Sequence, residues 1–472
     1  MSDLSHEFSG SEFRTGVTEL QGRVRGPVLL PGDHGFVEEC TAYNLLRTLR
    51  PVLVVGATDA GDVAAAVRFA ADHGMPVAIK NRGHQMVLPD ADRTLLITTH
   101  RLSGIAVNPE ARTVRVGAGV RWSEVLPIAA RHGLAPLAGS APGVGVVGYT
   151  LGGGLSPLLG RSAGYAADHV RSMDVIMADG TARTVTPEND PDLYWALLGG
   201  KGNFAVVTAI EFGALPVTRF YGGGLWLPGE RAKHVLSLWR TWQEELGRES
   251  TTSVAVQRLP ELPTLPEPLR GAFVLHVRFA HLGDAAQGAA LIAPLRAAAT
   301  PLLDTLAERP YEQLGEIHLD PPAPLPYVEG SLGLRTFGAD TLAAFTELTG
   351  PESDCPLVTV ELRALGGALD EEPAVPNAVA SRGLPFVTFA FGVGGPDEVA
   401  PMEEHLKSYV HALSPWADDR NVTNFVGPDD ATTPADVRRH YGADRYARLS
   451  VLKRRYDPDN VFRVNHNIPP AS

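Results

Sequence analysis

The sequence predicts an α+β protein: a glycine-rich first part on a mixed sheet, then a part built on a mainly antiparallel sheet covered by helices. Three observations support this. A strand, a helix and a second strand follow one another from Arg50 to Ile79; glycine is concentrated between Gly139 and Gly154; and beyond about Leu215 the strands alternate between apolar and polar side chains. At 472 residues the chain has the material for two or three domains, each burying its own core.

Taken in order, Arg50 to Val55 is a short β-rich run, and Thr58 or Asp59 caps a helix whose Val63, Val67 and Ala70 share one face before Gly74 ends it. Pro76 to Ile79 is the next strand, which implies a right-handed crossover between parallel strands. Leu95 to Ile97 and Thr113 to Val116 read as further strands, and Trp122 to His132 as a helix closed by Gly133. The stretch from Gly139 to Gly154 is too rich in glycine for a helix or strand that must be stable by itself, so its backbone must come close to something. Val170 to Met177 and Ala182 to Val185 form a hairpin about Ala178-Asp179-Gly180; Asp190 to Leu198 is a short helix and Phe204 to Phe212 a strand. After Leu215, Pro-rich loops at Leu259 to Leu269 and Asp320 to Tyr327 separate strands from longer amphipathic helices. In Leu357 to Leu365 one face is Val358, Val360, Leu362 and Ala364 and the other Thr359, Glu361 and Arg363; in Phe273 to Phe279, His276 and Arg278 stand opposite an apolar face. Such a sheet has helices on one side and a polar cavity on the other. A helix over about Ala443 to Tyr456 precedes the tail.

Composition removes several function classes. With 41 Lys+Arg against 54 Asp+Glu, a formal charge of -13 and no basic block, nucleic acid is not expected as a partner. No stretch approaches the roughly 20 apolar residues of a membrane span, and Met1 to Gly10 is polar and acidic where a secretory signal needs a basic start and an apolar run, so the expectation is a cytoplasmic protein without a membrane partner. Two cysteines, Cys40 and Cys355, make neither a disulfide framework nor a zinc site, and no metal is expected.

Three glycine-rich segments carry the chemistry: Gly83 beside His84, Gly139 to Gly154, and Gly199-Gly200-Lys201-Gly202-Asn203-Phe204. A loop stripped of side chains lets successive N–H groups face one anion and lets a flat ring lie against the main chain, which suits a dinucleotide; tight turns in a compact domain are the other reading. The Rossmann fingerprint is absent, since no Gly-x-Gly-x-x-Gly joins a first strand to its helix.

At these residues the sequence resembles the berberine bridge enzyme-like FAD-linked oxidoreductases of the vanillyl-alcohol oxidase superfamily. The resemblance spans nearly the whole chain. It rests on Arg50-Pro51 leading into Asp62 to Val67, on Gly83-His84, on Gly148-Tyr-Thr-Leu-Gly-Gly-Gly154, on Gly199 to Thr208, and on the tail Asp457 to Pro470. It implies a two-part FAD-binding domain of the PCMH type over residues 1–215, with its core about 46–215, and a substrate-binding domain over 216–440 with an antiparallel sheet covered by helices. A C-terminal segment, 441–472, would return to the FAD-binding domain. The resemblance further implies that FAD is held by Lys80, Asn81, Arg82, Gly83, His84 and Gln85; by Ala141, Gly143, Val144, Gly145, Gly148, Gly152, Gly153 and Gly154; by Gly202, Phe204, Val206 and Val207; and by Asn424 and Asn465.

Family members often carry a histidine linked to the flavin 8α-methyl, which His84 matches, and in many a cysteine bound to C6, where this chain has Ala141. One covalent link, through His84, is therefore the expectation. Two departures matter. Asn81 and Arg82 stand where consecutive glycines are usual, and Arg82 could place its guanidinium on the pyrophosphate. The tyrosine that serves many family oxidases as base aligns with Val422.

For the chemistry, Glu361 points into the cavity face and is the expected proton acceptor, with Arg363 beside it; a Glu361–Arg363 ion pair that only satisfies a buried strand is the alternative. His276 and Tyr149 complete the catalytic candidates. A cationic wall around one acid suits an enolate, a carboxylate or an acidic β-dicarbonyl. The chain is more similar to bacterial polyketide-tailoring flavoenzymes than to plant alkaloid enzymes. The expected function is an FAD-dependent oxidase tailoring such a natural product, with a small-molecule substrate and molecular oxygen as partners, acting as a monomer or homodimer. The alternative is a flavin-containing cyclase that uses the same cavity without net redox change.

Overall fold

The computed structural model describes residues 10–87 and 93–472 and contains three sheets. The polar opening residues, apart from Gly10, lie outside the described residues. The first sheet contains β1 (Val28–Leu29), β2 (Leu53–Gly56), β3 (Val77–Lys80) and β4 (Leu95–Thr98) in the order β1-β2-β4-β3. The helix after β2, Ala60–Asp72, starts at Asp59, whose carboxylate accepts from the Asp62 N–H at 3.0 Å, and stops before Gly74, whose φ is +62°. The connection from β2 to β3 joins parallel strands of one sheet, as expected, and β4 lies between them, parallel to both. The physical reason is burial: Leu95, Leu96 and Ile97 have no exposed surface, and so apolar a run takes the centre of a parallel sheet.

The second sheet is antiparallel and contains β5 (Ile105–Asn108), β6 (Thr113–Gly117), β7 (Val170–Ile176), β8 (Ala182–Val185) and β9 (Val206–Gly213), ordered β5-β6-β9-β7-β8. The hairpin β7–β8 turns at Gly180 with φ +74°. Within the glycine-rich stretch, too rich in glycine for an element stable by itself, Val146–Leu151 nevertheless forms a short helix. Five of its six side chains, all but Gly148, are buried, so packing supplies what helix propensity does not.

The third sheet contains β10 (Arg219–Pro228), β11 (Ser250–Arg258), β12 (Phe273–His281), β13 (Leu303–Asp304), β14 (Ala307–Pro310), β15 (Tyr327–Leu334), β16 (Thr359–Ala364) and β17 (Phe386–Val393). Its path is β13-β10-β12-β11-β16-β17-β15, with β14 also paired to β10, and every pairing is antiparallel. One face packs Leu275, Val277, Val360 and Leu362 against Trp239, Ile292, Phe345 and Leu406, each from a different covering helix. A fully buried side chain of this size contributes about 1.5–3 kcal/mol. The opposite face looks toward the glycine-rich segments. A larger apolar core gathers β2, β4, β6, β7 and β9 and also takes in Leu449, Leu452, Phe462 and Ile468 from the C-terminal segment. That segment is tied down by Lys453, fully buried in the helix Ala443–Tyr456, whose ammonium donates to Asp457 at 2.6 Å, and by the Val77 N–H bonded to the Val461 carbonyl at 2.9 Å. No described helix is long and apolar enough to cross a membrane.

Candidate active site

Between the polar face of the third sheet and the glycine-rich segments lies a cavity of about 430 Å³. Residues 80–85 form one side of it. The end of β3 aims Lys80 inward to donate to the Thr41 carbonyl at 2.8 Å, and Asn81 donates to the Ala118 carbonyl at 2.8 Å. Gly83 turns with φ +71°; a Cβ there would lie 2.9 Å from Ala42 Cα, so only glycine fits. His84 stacks on Tyr43 with ring centroids 3.9 Å apart, its carbonyl accepts from the Tyr327 hydroxyl at 3.3 Å, and burial pushes its pKa down to about 4, leaving the imidazole neutral. Gln85 donates to the Thr423 carbonyl at 2.9 Å.

Several lining groups have no hydrogen-bond partner among the described residues. Asn81 Oδ1, Arg82 Nε and Asn465 Oδ1 are buried without a hydrogen-bond partner among the described residues. Lys201 holds the left-handed region at φ +57°, rare for a residue with a side chain; its ammonium makes no hydrogen bond with the described residues, and burial lowers its pKa to about 8. The Arg82 guanidinium and the Lys201 ammonium, left unsatisfied beside glycine-lined backbone, suit a diphosphate; the two unsatisfied amide oxygens can accept from ring N–H groups, and the apolar Ile79, Val144 and Val207 suit a flat ring system, so the residues present fit FAD.

Of the residues expected to hold the cofactor, Lys80 to Gln85, Ala141, Val144, Gly145, Gly148, Gly202, Val207, Asn424 and Asn465 line the cavity. Gly143, Gly152, Gly153, Gly154, Phe204 and Val206 do not. Phe204 and Val206 have no exposed surface and belong to the core. Gly152 and Gly154 instead hold Asn424: the Gly154 N–H donates to its Oδ1 at 3.0 Å, and a Cβ on Gly152 would come within 2.4 Å of its Nδ2. Gly153 is buried beside Val379, and Gly143 has nothing near it. Ala141 reaches the cavity without a sulfur, while Cys40 and Cys355 lie in apolar clusters away from it. Val422 is buried in the core and does not line the cavity.

The catalytic candidates divide as well. Tyr149 lines the cavity, its hydroxyl buried without a partner among the described residues, its ring edge-on to Trp122 and so close to Gly139 and Gly154 that a Cβ on either would lie 2.7 Å away. Burial pushes its pKa well up, so the hydroxyl stays protonated and can only donate or accept a hydrogen bond. His276 stays out of the cavity: it stacks on Trp226 at 3.9 Å and accepts from Arg278 Nε at 3.2 Å, placed behind the arginine that does line the space.

Glu361 reaches the cavity but is fully committed. Its Oε1 accepts from Ser253 Oγ at 2.8 Å and Arg278 Nη1 at 2.5 Å and lies 3.4 Å from His318 Nε2; its Oε2 accepts from Arg363 Nη2 at 2.9 Å. Burial alone would raise its pKa, but the two guanidiniums outweigh it and hold the carboxyl well below the usual range. So paired, Glu361 is a weak base; the arrangement matches the ion-pair alternative, and the expected role of proton acceptor does not fit it. What it does is orient two arginines. Arg363, over the Phe425 ring at 4.8 Å, keeps a buried Nε without a partner.

Residue-by-residue reading missed other lining groups, among them Tyr43, Lys201, Tyr327, Glu329, Phe389 and Phe391. For Glu329 the signal was present but faint, since Tyr327, Glu329 and Ser331 alternate with Val328 and Leu332, yet Gly330 interrupts the apolar face of β15. Tyr43 precedes every recognised motif and reaches the cavity only through folding.

The comparisons with known proteins agree with this geometry. A family described as FAD binding domain matches residues 51–186, and one described as berberine and berberine like matches 425–469. The chain is 27% identical to (R)-6-hydroxynicotine oxidase of Paenarthrobacter nicotinovorans over 95% of this chain and 97% of that one, and 28% identical to a VAO-type flavoprotein oxidase of Thermothelomyces thermophilus over 89% and 76%. Among solved structures, xylooligosaccharide oxidase from Myceliophthora thermophila shares the fold at TM-score 0.81 and 21% identity, covering 97% of this chain and all of that one. An FAD-binding module, a berberine-like tail and oxidase relatives aligned along nearly the whole chain mark this protein as an FAD-dependent oxidoreductase that is similar to the berberine bridge enzyme-like members of the vanillyl-alcohol oxidase superfamily.

Proposed function

We propose that the enzyme oxidises an enolisable natural product, such as a polyketide or related β-dicarbonyl compound, and passes the electrons to molecular oxygen. The supporting observation is the pair Arg278 and Arg363 held in the cavity wall around one carboxylate, two positive charges against one negative. Such a wall favours a substrate oxygen that gains negative charge, and a donor aimed at that oxygen contributes on the order of 3 kcal/mol to the barrier. FAD, when bound, supplies the acceptor for a hydride from the substrate carbon. Arg363 Nε, without a hydrogen-bond partner among the described residues, is the donor available to the substrate oxygen. Phe389, Phe391 and Phe425 offer a flat apolar surface against which an unsaturated substrate is oriented.

The flavin is held covalently through His84 alone in this reading. A neutral imidazole has the lone pair that bond formation needs, and no thiol lines the cavity. The relative named for 6-hydroxynicotine is consistent with a small hydroxylated substrate.

The test is the flavin absorbance of the holoenzyme mixed with candidate enolisable substrates without oxygen. An oxidase bleaches the oxidised band, and air restores it with one pair of electrons per product. Product formed in excess over enzyme with the band unchanged would instead assign the cavity to redox-neutral cyclisation.

A further inference from the structure

We infer that Glu329 is the group that takes the substrate's proton, and that it does so from the opposite end of the cavity to the Arg278–Glu361–Arg363 cluster. The inference rests on the oxidative reading above.

The sheet register sets the geometry. Glu329 on β15 opposes Phe391 on β17, which opposes Thr359 on β16, while Glu361 opposes Phe389 in the next row of the same face. Two strand spacings and one two-residue step put the backbones of the two acids about 12 Å apart. The space between them is floored by Phe389 and Phe391. Two functional ends separated by an aromatic floor define a site for one small unsaturated molecule, its oxygen at the arginines and its acidic hydrogen at Glu329.

The two carboxylates differ in what holds them. Glu361 is saturated by Ser253, Arg278 and Arg363, whereas Glu329 accepts no hydrogen bond from the described residues. Its charged surroundings come from three segments. Asp430 lies beside it: a Cβ on Gly427 would sit 3.3 Å from Asp430 Oδ2 and 3.6 Å from Glu329 Oε1. Asp430 is itself anchored by the Gly427 N–H at 2.8 Å and by Ser331 Oγ at 3.5 Å. Arg47 approaches from the N-terminal segment but is engaged by Asp429, and Tyr327, on the same strand, spends its hydroxyl on the His84 carbonyl. His466, whose Nε2 is 3.0 Å from the Gly427 carbonyl, is held neutral by burial. Burial first, then the Asp430 charge, raises Glu329 to about 8, with Asp430 raised to about 6. An unpaired carboxylate with a value near neutrality is a far stronger base than one clamped between guanidiniums.

The proton balance is simple. The substrate loses a hydride from carbon to the flavin and a proton to a Glu329 oxygen; the neutral carboxyl then releases that proton to solvent before the next turnover. Nothing beyond FAD and its oxidant is needed.

The experiment is the pH dependence of anaerobic flavin reduction in the holoenzyme and its variants. In wild type the rate should rise with pH to a plateau with a midpoint near 8. Glu329→Gln should lose that limb and about 10²- to 10⁴-fold in rate, with substrate affinity much less affected, and Glu329→Asp should recover part of both. Glu361→Gln should keep the limb. A limb that survives in Glu329→Gln, or that vanishes in Glu361→Gln instead, overturns the inference. Should product form without bleaching, the oxidative reading fails separately, and the same variants and pH range are read on product formation. Pulse-free infrared difference spectra of resting holoenzyme add a substrate-independent arm: a protonated carboxyl band should fade as pH rises through about 8 and be missing from Glu329→Gln. Its absence from wild type at pH near 6 also overturns the assignment.

Discussion

His84 shows how much a single residue can state in advance and what it leaves to the fold. Its place beside Gly83 marks it as the expected attachment residue, yet only the fold supplies the Tyr43 ring at 3.9 Å and the burial that keeps the imidazole neutral. Acid precipitation of wild type should therefore leave yellow flavin with the protein, and His84→Ala should release it to the supernatant. Complete loss of flavin from wild type would contradict the link. The same contrast explains the revision at Glu361. Strand alternation correctly aimed it at the cavity, because period-two patterning reports direction. It says nothing of partners one or two strands or a loop away, and Ser253, Arg278 and His318 are what turn a candidate base into an ion-pair anchor. Glu329 was overlooked for the converse reason: the faint alternation of β15 gives only its direction, and its character comes first from burial and then from Asp430, about a hundred residues on.

Among the elements, the legible ones are those whose local pattern and final burial agree. The final helix, Ala443–Tyr456, has the bounds its sequence suggests, and the β7–β8 hairpin follows its Asp-Gly turn. β5 escaped notice because its side chains alternate only between half-buried and exposed, with Asn108 at its end. The Val146–Leu151 helix escaped because tertiary burial overrides its glycine. The C-terminal segment offers a direct test. Lys453 and Asp457 are fully buried one helical turn apart; the ammonium also donates to the Asn203 and Phe462 carbonyls, and the carboxylate caps the Val461 and Phe462 N–H groups. Lys453→Met strands a buried carboxylate, which costs about 3–5 kcal/mol. Urea denaturation should show a midpoint lowered accordingly, with the tail more open to proteolysis. A change below about 1 kcal/mol would mean that Asp457 finds another partner.

Across the whole molecule the buried titratable groups set an optimum of stability. His84, His318 and His466 are pushed down to about 4, His440 to about 3 and His276 well below its ordinary value, all chiefly by burial. The unfolded chain binds these protons near pH 6.5 and the folded chain does not, so their stabilising contribution is complete above about pH 6.5 and is lost as pH falls toward 4. Glu329 and Asp430 act in the other direction. Raised to about 8 and about 6, they keep protons that the unfolded chain has already released, and their contribution fades as pH rises through those values. Between about pH 4.5 and 6 the histidines outnumber the acids and stability rises with pH; between about 6.5 and 7.5 Glu329 dominates and stability falls, until Lys201 and Lys453, lowered to about 8, begin to oppose it, each uncompensated proton being worth about 1.4 kcal/mol per pH unit. Thermal denaturation of the holoenzyme should thus give a maximum Tm near pH 6.5. His440→Gln should flatten the acid side, because its neutral amide takes up no proton in either state, and Glu329→Gln should flatten the alkaline side. A Tm that climbs steadily from pH 6.5 to 7.5, below the range in which Lys201 and Lys453 titrate, would show that Glu329 is not protonated in the folded enzyme, and would remove the base proposed for the cavity along with it.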